Sequence, residues 1–408
     1  MRRLLPAVTG ALAVGLLAAV LPMGTAGAET GDGAATTERI SVAADGTQSD
    51  GTSFDPVISR NGRYAAFVSR ATNLVPSAPP GDWTYLRDLR RGTLERVTVD
   101  GARADVHDFS ASGNRMVLNS GNKLYVRDLK TGRDQRVDVE LGEFTGGGVH
   151  SGRISGSGRY VVFTEGRPAG STAAESARVY VRDLRKGTTQ WVSHPNTAAK
   201  DYASGGPVIS DDGQHIAYTS TWQPPKGAAK GNAYLLDRTT GERQMLDVSA
   251  DGPTPERAMF GLSMSADGSR VLFNRHDTSP VTADDQGSNT FVREPSAGTT
   301  RPVPADGAGT GTTSRGSLSA DGRSVLFMPG VASPSGGPWP LVLRNLETGE
   351  ARTVTTAVDG TPAPAYPGDA AMTGDGRKVV FNSLADGIVP GDTNATWDVF
   401  VTTLPPAS

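Results

Sequence analysis

The 408-residue sequence contains no cysteine, which excludes disulfide bonds, thiol chemistry and lipid attachment through a cysteine side chain. It also has no long run of lysine or arginine, and its formal net charge is −3. The electrostatic footprint of a nucleic-acid-binding protein is therefore missing, and attraction to an anionic membrane surface is disfavoured for the same reason. Nucleic acid is not an expected partner.

Two motifs of common enzyme classes are missing as well. The sequence has no Gly-x-Ser-x-Gly segment, which carries the nucleophile of an α/β-hydrolase peptidase. It also has no Gly-x-x-x-x-Gly-Lys loop to hold nucleotide phosphates. Serine peptidase activity and P-loop nucleotide hydrolysis are therefore not expected.

The N-terminal segment indicates export. Arg2 and Arg3 precede an apolar region at 7–21 that is short for a membrane anchor, and the small residues 26–28 follow it. We expect a secretory signal peptide over 1–28 and no stable membrane insertion once it is removed. The mature protein is then secreted or held in the cell envelope.

What the sequence does contain is a nine-residue pattern that recurs seven times. Each copy has a small hydroxyl residue, a turn, and a β-rich run that ends in a bulky apolar residue, as in the copy from Ser319 to Phe327. A period of 45 to 55 residues is typical of radially repeated β-structure. We number the repeats 1 to 7 by the first residue of the pattern in each, which is Ser59, Ser110, Ser155, Ser210, Ser265, Ser319 or Thr373.

Each repeat contains four short β-rich segments separated by turns. In repeat 1 these segments are 56–59, 63–69, 85–89 and 94–99. Four antiparallel strands joined by tight turns are typical of one blade of a β-propeller. The sequence therefore predicts an all-β fold, a seven-bladed β-propeller with four-stranded antiparallel blades.

The two ends of the chain are expected to complete one blade together. Repeat 7 stops after its third strand, and only a tail at 405–408 follows. A linker at 29–36 leads to the segment Thr37–Val42, which stands before repeat 1. We expect this segment to be the missing fourth strand, held by burial of its apolar side chains, so that the propeller spans 37–404 and has no open edge.

The repeat resembles the TolB-type β-propeller repeat, which is found in many exported bacterial proteins and is a relative of the WD-repeat propellers. The resemblance rests on Ser265-Ala266-Asp267-Gly268, on Tyr180-Val181-Arg182-Asp183-Leu184 and on the segment from Ile388 to Val401. It implies the fold and does not imply an activity, because such propellers serve as binding platforms and as enzymes. TolB itself has a separate N-terminal domain, for which we expect no room here.

Two repeated dipeptides are interpreted as structural. The Asp-Gly of the repeat, as in Asp321-Gly322, is the expected chemistry of a tight hairpin turn. An Arg-Asp pair, as in Arg182-Asp183, recurs from blade to blade, and a catalytic pair would not need that symmetry. We expect it to form hydrogen bonds between strands or blades.

Recognition is expected at the face that carries the long connections between strands two and three, and at the central funnel. Tryptophans in or beside these loops could stack on a sugar or a peptide side chain, or could hold the loops against the blades. Both interpretations remain open. The candidate ligand-binding residues are Trp83, Trp222, Trp339 and Trp397.

One loop offers candidate metal ligands. Asp392, Asn394 and Asp398 supply oxygen atoms at spacings that suit a calcium ion. The loop lacks the glycine and the final glutamate of a helix-loop-helix calcium site. The alternative is that these side chains fold the loop by hydrogen bonds to its backbone.

Two functions remain open. The first is a non-catalytic, monomeric binding or scaffold module for a protein or glycan partner, with no cofactor other than a possible calcium ion. The second is a carbohydrate-active lyase or hydrolase with its site in the funnel, which His107 or His150 could reach. Converging carboxylates, histidines or arginines would favour catalysis, and small or apolar side chains would favour binding.

Overall fold

The structure is a computed structural model that contains no α-helix within its described residues. No described helix is long and apolar enough to span a membrane. The signal peptide predicted at 1–28 lies outside the described residues. These are 34–141, 147–166, 175–193, 202–222, 230–246, 248–249, 252–253, 259–275, 290–303, 316–329, 340–365 and 370–406.

The described chain is built from short β-strands, numbered in chain order. The N-terminal strand and the first three repeats contain β1 (Thr36–Arg39), β2 (Ser53–Ile58), β3 (Tyr64–Ser69), β4 (Trp83–Asp88), β5 (Thr93–Arg96), β6 (Thr98–Val99), β7 (Ala102–Arg103), β8 (Asp105–Phe109), β9 (Arg115–Ser120), β10 (Lys123–Asp128), β11 (Arg133–Arg136), β12 (Val149–Ile154), β13 (Tyr160–Gly166), β14 (Glu175–Asp183) and β15 (Thr188–Trp191).

The later repeats follow the same plan. They contain β16 (Tyr202–Ile209), β17 (His215–Trp222), β18 (Lys230–Asp237), β19 (Arg243–Met245), β20 (Val248–Ser249), β21 (Gly252–Pro253), β22 (Met259–Met264), β23 (Val271–Arg275), β24 (Thr290–Glu294), β25 (Thr299–Pro302), β26 (Ser317–Leu318), β27 (Ser324–Phe327), β28 (Val342–Asn345), β29 (Ala351–Thr353), β30 (Ala370–Met372), β31 (Lys378–Ser383) and β32 (Asp398–Thr403).

The sheets form a β-propeller arrangement, but the predicted count of seven separate blades is wrong. Within the described residues the structure has five separate four-stranded sheets, which belong to repeats 1, 2, 5, 6 and 7. Repeats 3 and 4 share a single eight-stranded sheet. The hairpins β6–β7 and β20–β21 are additional two-stranded sheets.

The strands of repeats 3 and 4 are long enough to meet. The strand β14 has nine residues and β16 has eight, whereas the equivalent strands β4 and β2 each have six. The extra length lets the start of β14 pair in parallel with the start of β16, through Glu175↔Tyr202 and Ala177↔Ala203. The repeat pattern in the sequence carries no information about this pairing, because it marks the turns and not the strand lengths.

The predicted pairing of the two chain ends is confirmed, with slightly different bounds. The strand β1 lies antiparallel to β32 in register Thr36↔Thr403 to Arg39↔Phe400, in a sheet of order β1-β32-β31-β30. Ile40, which follows β1, donates its backbone N–H to the Val399 carbonyl at 2.8 Å and is 2% exposed. Val42 is only half-buried, so of the two apolar side chains in the predicted segment Thr37–Val42 only that of Ile40 is fully buried.

The hydrophobic core lies between neighbouring sheets. One cluster, for example, joins Val380 and Val401 of repeat 7 to Phe67 and Tyr85 of repeat 1. In repeat 1 the bulky residue that ends the pattern stacks on an aromatic residue of the third strand, with ring centroids 6.0 Å apart for Phe67 and Tyr85. The same contact recurs in Phe163–Tyr180, Phe273–Phe291 and Phe381–Phe400.

The small hydroxyl residue of the pattern organises its turn. In repeat 6 the Ser319 hydroxyl donates to the Asp321 carboxylate at 2.5 Å and accepts the backbone N–H of Ser324 at 2.9 Å. In all seven repeats the hydroxyl at this position accepts the backbone N–H of the residue five positions later. The interpretation of the Asp-Gly dipeptide as a tight turn is therefore confirmed.

The glycine of this turn also contacts the preceding repeat. Gly213 has a φ of +77°, and a Cβ atom there would overlap the ring of Tyr160. The guanidinium groups of Arg159 and Arg238 lie 4.8 and 4.5 Å from the centre of that ring, so the ring has little room to move. Glycine is thus required here for its conformation and for its size.

We expect Gly213→Ala to destabilise the fold much more than Gly241→Ala. Gly241 has nearly the same φ, +75°, but a Cβ atom added to it would meet no other atom within 4 Å. Gly241→Ala should cost about 1–2 kcal/mol for the left-handed conformation, and Gly213→Ala about 1–3 kcal/mol more for overpacking. Urea unfolding of both variants measures the difference, and equal costs would contradict the proposed contact.

The recurrent Arg-Asp pair is structural, as predicted. The Asp183 carboxylate accepts Arg159 at 2.7 Å and the backbone N–H groups of Arg185 and Lys186 at 3.0 Å, so it caps the turn after the third strand. The neighbouring Arg182 donates to Glu140 of the preceding repeat at 2.8 Å. The aspartate therefore fixes a turn and the arginine joins two repeats.

These turn aspartates should make the fold sensitive to acid. The hydrogen bond from Arg159 lowers the pKa of Asp183 from 3.8 to about 2, and backbone N–H donors lower the pKa of Asp128 and Asp237. A depressed folded-state pKa contributes stability that is present above the unfolded pKa and is lost as the pH falls through the folded one. We therefore expect the melting temperature to fall between about pH 4 and pH 2.

The variant Asp183→Asn tests this assignment. It should lower stability at neutral pH and should lose part of the decline between pH 4 and pH 2, because one of the responsible carboxylates is gone. Calorimetry across that range measures both effects. A variant with an unchanged pH profile would show that Asp183 does not contribute to it.

Candidate ligand-binding site in the central channel

The first strands of the seven repeats line a central channel of about 720 Å³. This volume lies within the usual range of small-molecule sites, about 300–1,000 Å³. The lining segments are 55–58, 105–108, 151–154, 206–209, 261–264, 316–318 and 370–372.

The tight-turn end of the channel is bounded by a ring of turn residues. Each member directly follows the first residue of the pattern in its repeat. Backbone hydrogen bonds of 2.7–3.1 Å join neighbouring turns, from Ala111 round the ring to Arg60. The remaining junction is bridged by the side-chain amide of Asn61, which donates to the Ser112 carbonyl at 2.5 Å. The ring members are Arg60, Ala111, Gly156, Asp211, Ala266, Ala320 and Gly374.

Two ring members carry charged side chains, and these two meet. Arg60 of repeat 1 forms an ion pair with Asp211 of repeat 4, three repeats away around the channel. The other members are alanine or glycine, and a Cβ atom on Gly156 would collide with the Asp211 carboxylate. The ion pair therefore crosses the ring at the tight-turn end of the channel.

One side of the channel wall is charged. It carries Asp55 of repeat 1, the pair Arg103 and Asp105 before and in repeat 2, and Arg153 of repeat 3. The Arg103 side chain donates to Asp105 at 3.0 Å, and Asp105 also accepts the Thr84 hydroxyl at 3.0 Å. These two charges therefore largely satisfy each other.

His107 lies on the same side of the wall. Its Nε2 atom is 2.9 Å from Asn119 Oδ1, and the Asn119 amide donates to the Gly121 carbonyl at 3.3 Å, so Nε2 is the protonated nitrogen. Burial, and next the positive charge of Arg153, lower the pKa of His107. The imidazole is therefore neutral at pH 7, and its Nδ1 atom is a hydrogen-bond acceptor.

The described residues of the opposite wall are mostly small or apolar. They include Gly206, Pro207, Leu262, Ala370 and Met372 of repeats 4, 5 and 7. Charged groups, which would favour catalysis, lie on repeats 1 to 3. Mostly small or apolar groups, which would favour binding, line the rest of the described wall. The channel therefore has features of both functions.

Neither Trp83 nor Trp397 lines this channel. The Trp397 backbone carbonyl accepts the Ser53 backbone N–H at 2.7 Å. Ser69 is the strand partner of both Ser53 and Trp83. Trp397 and Trp83 therefore lie at the same, long-loop end. The Trp83 ring packs under the Arg96 guanidinium at 4.5 Å. Trp222 ends β17 and its side chain lies outside the described residues, as does all of Trp339. Ligand binding by these residues stays a prediction.

The candidate metal ligands lie in a buried network with the N-terminal segment. Asp398, fully buried, accepts the Ser41 hydroxyl at 2.6 Å and the Gln48 amide at 3.0 Å. Arg39 approaches Asp392 at 3.2 Å and Asp398 at 3.3 Å. A calcium ion would have to displace this guanidinium group.

Asn394 also acts as a donor in this network. Its amide group, and not its oxygen, faces Asp398, at 3.2 Å, and also donates to the Ser49 carbonyl at 2.9 Å. Among the described residues no group of three or more His, Cys, Asp or Glu is arranged to hold a metal ion. The arrangement favours the loop-folding alternative, and the calcium site stays a prediction that a calcium titration of the unaltered protein would check.

Sequence reasoning singled out His107 but missed the other charged residues of the channel. Arg153 stands two positions before the first residue of the pattern in its repeat, and a charged residue occurs at that position only in repeats 2 and 3. Asp55 stands four positions before the first residue of the pattern in its repeat. The other charged residues at that position are Arg315 and Asp369, which lie outside the described residues. This uneven distribution of charge among the aligned repeats was the available signal.

No protein-family model matches this sequence, and no curated protein matches it. The fold is similar to that of an oligogalacturonate lyase from Vibrio parahaemolyticus, with a TM-score of 0.56 and 14% identity over 92% of this chain and 99% of that one. It is also similar to the β-propeller domain of the Trilobed protease from Pyrococcus furiosus, with a TM-score of 0.55 and 12% identity over 88% and 96% of the two chains.

That domain is described as having an open velcro topology, whereas β1 pairs with β32 in this chain. TolB from Acinetobacter baumannii aligns over 79% of this chain and 76% of its own at 13% identity, with a TM-score of 0.41. Likeness at such low identity shows the fold and not the activity. The comparisons therefore establish a β-propeller fold, and the residues of the channel are the basis for any functional conclusion.

Proposed function

We propose that this protein is an exported, non-catalytic binding module that takes its ligand into the central channel from the long-loop end. The ligand is a protein segment or a glycan fragment in the cell envelope or outside the cell, and the protein acts as a monomer. The observation that carries the proposal is the shape and chemistry of the channel, which an ion pair crosses at the tight-turn end and whose described wall is charged on one side and mostly small or apolar on the other.

The charged groups support binding because most of them are already engaged. Asp105 is paired with Arg103, and Asp108 accepts the backbone N–H of Ile154 at 2.9 Å. A hydrolase of the usual kind needs two carboxyl groups that face one bond of the substrate, one of them free to give or take a proton. Polar groups that are fixed by their neighbours instead suit the orientation of a bound ligand.

The cellular location is part of the proposal. It is supported by the signal peptide that the sequence predicts and by the resemblance of the repeats to the TolB-type propellers of exported bacterial proteins. We assign the repeats to that type on their motifs.

Blocking the channel should weaken binding. Ser317→Trp places a large side chain on the half-buried channel wall, and we expect it to weaken binding at least tenfold without lowering the melting temperature by more than a few degrees. Ala102→Trp, on the exposed hairpin β6–β7, is the matched control and should bind normally. Calorimetric titration with a panel of cell-wall glycan fragments and short peptides measures both. Equal binding by the two variants would place the ligand elsewhere.

A second candidate is a lyase that acts on an acidic polysaccharide. A neutral imidazole that can accept a proton, at His107, lies beside the Arg153 cation, which could stabilise a developing negative charge. The similarity in fold to an oligogalacturonate lyase over nearly the whole of both chains also supports testing it.

Incubation with oligogalacturonate and other uronate oligomers distinguishes the two functions. A lyase generates an unsaturated product that absorbs ultraviolet light, and His107→Gln should abolish that signal. If no product forms while the channel still binds ligands, the binding function stands.

A further inference from the structure

We infer that the ligand of the channel is a short peptide with free ends, whose ammonium group binds Asp55 and whose carboxylate binds Arg153. This inference rests on the proposed binding function and names the class of ligand. Three features of the channel carry it: an unpaired carboxylate, an anchored guanidinium group and the absence of an exposed aromatic ring from the described wall.

Asp55 is held in an unusual conformation that presents it to the channel. It has a φ of +51°, within a β-bulge of the pairing between β2 and β3. The equivalent positions in repeats 4 and 5 are Gly206 and Gly261, with φ of +59° and +62°. A side chain in this conformation is uncommon outside glycine, and such residues are concentrated at functional sites.

The Asp55 carboxylate is also available. The residue is exposed and lines the channel, and within the described part of the chain no hydrogen bond or ion pair involves its side chain. An unpaired carboxylate in a partly enclosed site attracts a cationic group, and a ligand ammonium can donate charge-assisted hydrogen bonds to it.

Arg153 supplies the complementary charge. It is exposed, and its Nη1 atom donates to the His107 carbonyl at 2.5 Å, which anchors one edge of the guanidinium group. The planar group has further N–H donors, which suit a carboxylate. Because His107 is neutral, Arg153 is the positive group at this position.

The two charges do not cancel each other. Asp55 belongs to repeat 1 and Arg153 to repeat 3, and the wall between them is formed by repeat 2, where Arg103 and Asp105 pair with each other. A ligand that spans them needs a positive group and a negative group separated by a neutral body. A short peptide with free ends has this charge pattern.

The rest of the wall favours a peptide over a glycan. The apolar face of a sugar ring is commonly bound by an exposed aromatic ring, but the aromatic residue of the described lining, Phe67, is only 1% exposed. Pro207, Leu262 and Met372 on the opposite wall suit an aliphatic side chain. A tripeptide with free ends and a central leucine combines these charges with an aliphatic side chain.

Calorimetric titration with Ala-Leu-Ala in four forms tests the inference: free, N-acetylated, C-amidated and capped at both ends. Each cap removes a charge-assisted contact and should weaken binding to the unaltered protein about 10- to 150-fold. Asp55→Asn should weaken binding of the free peptide by a similar factor, and N-acetylation of the peptide should not weaken its binding to this variant further. Arg153→Gln should be insensitive to C-amidation.

Two matched controls separate these effects from changes in folding. Asp100 also has a left-handed backbone, with φ +50°, but lies in the turn between β6 and β7, outside the channel, so Asp100→Asn should bind like the unaltered protein. Arg133→Gln, on the exposed start of β11, is the control for Arg153→Gln. Melting temperatures establish that each variant is folded.

Several results would overturn the inference. If caps weaken binding equally in the unaltered protein and in the two channel variants, the ends of the peptide are recognised elsewhere. If glycan fragments bind, are blocked by Ser317→Trp, and the peptide does not bind, the peptide class is wrong and the binding function stands. If neither class binds, both the inference and the proposed function fail.

Discussion

A chain that begins at Asp45 is expected to melt far below a chain that begins at Glu29, or to aggregate. The shorter chain lacks β1 and loses Ile40 and Arg39 with it. Burial of Ile40 is worth about 1.5–3 kcal/mol, and removing one partner of a buried ion pair costs about 3–5 kcal/mol. These losses together approach a typical net stability of about 5–15 kcal/mol.

Loss of β1 also exposes an edge. The strand β32 would then present unpaired backbone groups along Asp398–Thr403, and such an edge promotes pairing between molecules. Calorimetry and light scattering measure stability and aggregation. A chain that begins at Ala35 keeps β1 and should match the chain that begins at Glu29. If the chain that begins at Asp45 melted at the same temperature, β1 would not be what closes the propeller.

Asp398→Ala is expected to cost about 3–5 kcal/mol of folding free energy, because it leaves the buried Arg39 guanidinium short of a partner. The side chain of Asp398 is 0% exposed and that of Arg39 is 8% exposed. The hydroxyl groups of Ser41 and Ser49 lose their acceptor at the same time. The free energy of urea unfolding is the measurement.

The control for Asp398→Ala is Asp359→Ala. Asp359 is an exposed turn residue that accepts only from Thr361, so its loss should cost about 1 kcal/mol or less. The double variant Arg39→Met with Asp398→Ala should be less destabilised than the sum of the two single variants, because the two groups depend on each other. Costs that simply add would show that the ion pair is not coupled.

This network also changes how a calcium site should be tested. Asp392→Ala is expected to lower the melting temperature without any metal, because Asp392 accepts the Gln48 amide at 2.8 Å and pairs with Arg39. Loss of stability in that variant is therefore no evidence for calcium. A rise in the melting temperature of the unaltered protein on addition of calcium is the informative result.

The local structure was largely predictable because it depends on near neighbours in the sequence. The turn at Ser319 is determined by residues within five positions, and the Asp-Gly chemistry allows few other conformations. The pairing of the chain ends was also predictable, since a repeat that lacks a strand and a strand that lacks a repeat complete each other.

The channel was less predictable because its chemistry depends on residues that are far apart in the sequence. Arg60 and Asp211 are 151 positions apart and meet only because the repeats curve into a ring. Similarly, Asp398 seemed suited to a metal when only its own loop was considered. Its environment is instead supplied by Arg39 and Gln48, more than three hundred positions earlier.

An all-β repeat fold, the turns of each repeat and the pairing of the chain ends could be read from the amino-acid order, because each follows from short-range patterns and from counting strands. That repeats 3 and 4 share one sheet could be seen only after folding, since the lengths of β14 and β16 allow contacts between repeats. The tertiary structure also decided which polar groups are satisfied and which remain available for a ligand. Charge compensation depends on distances between side chains, and folding alone brings those side chains together.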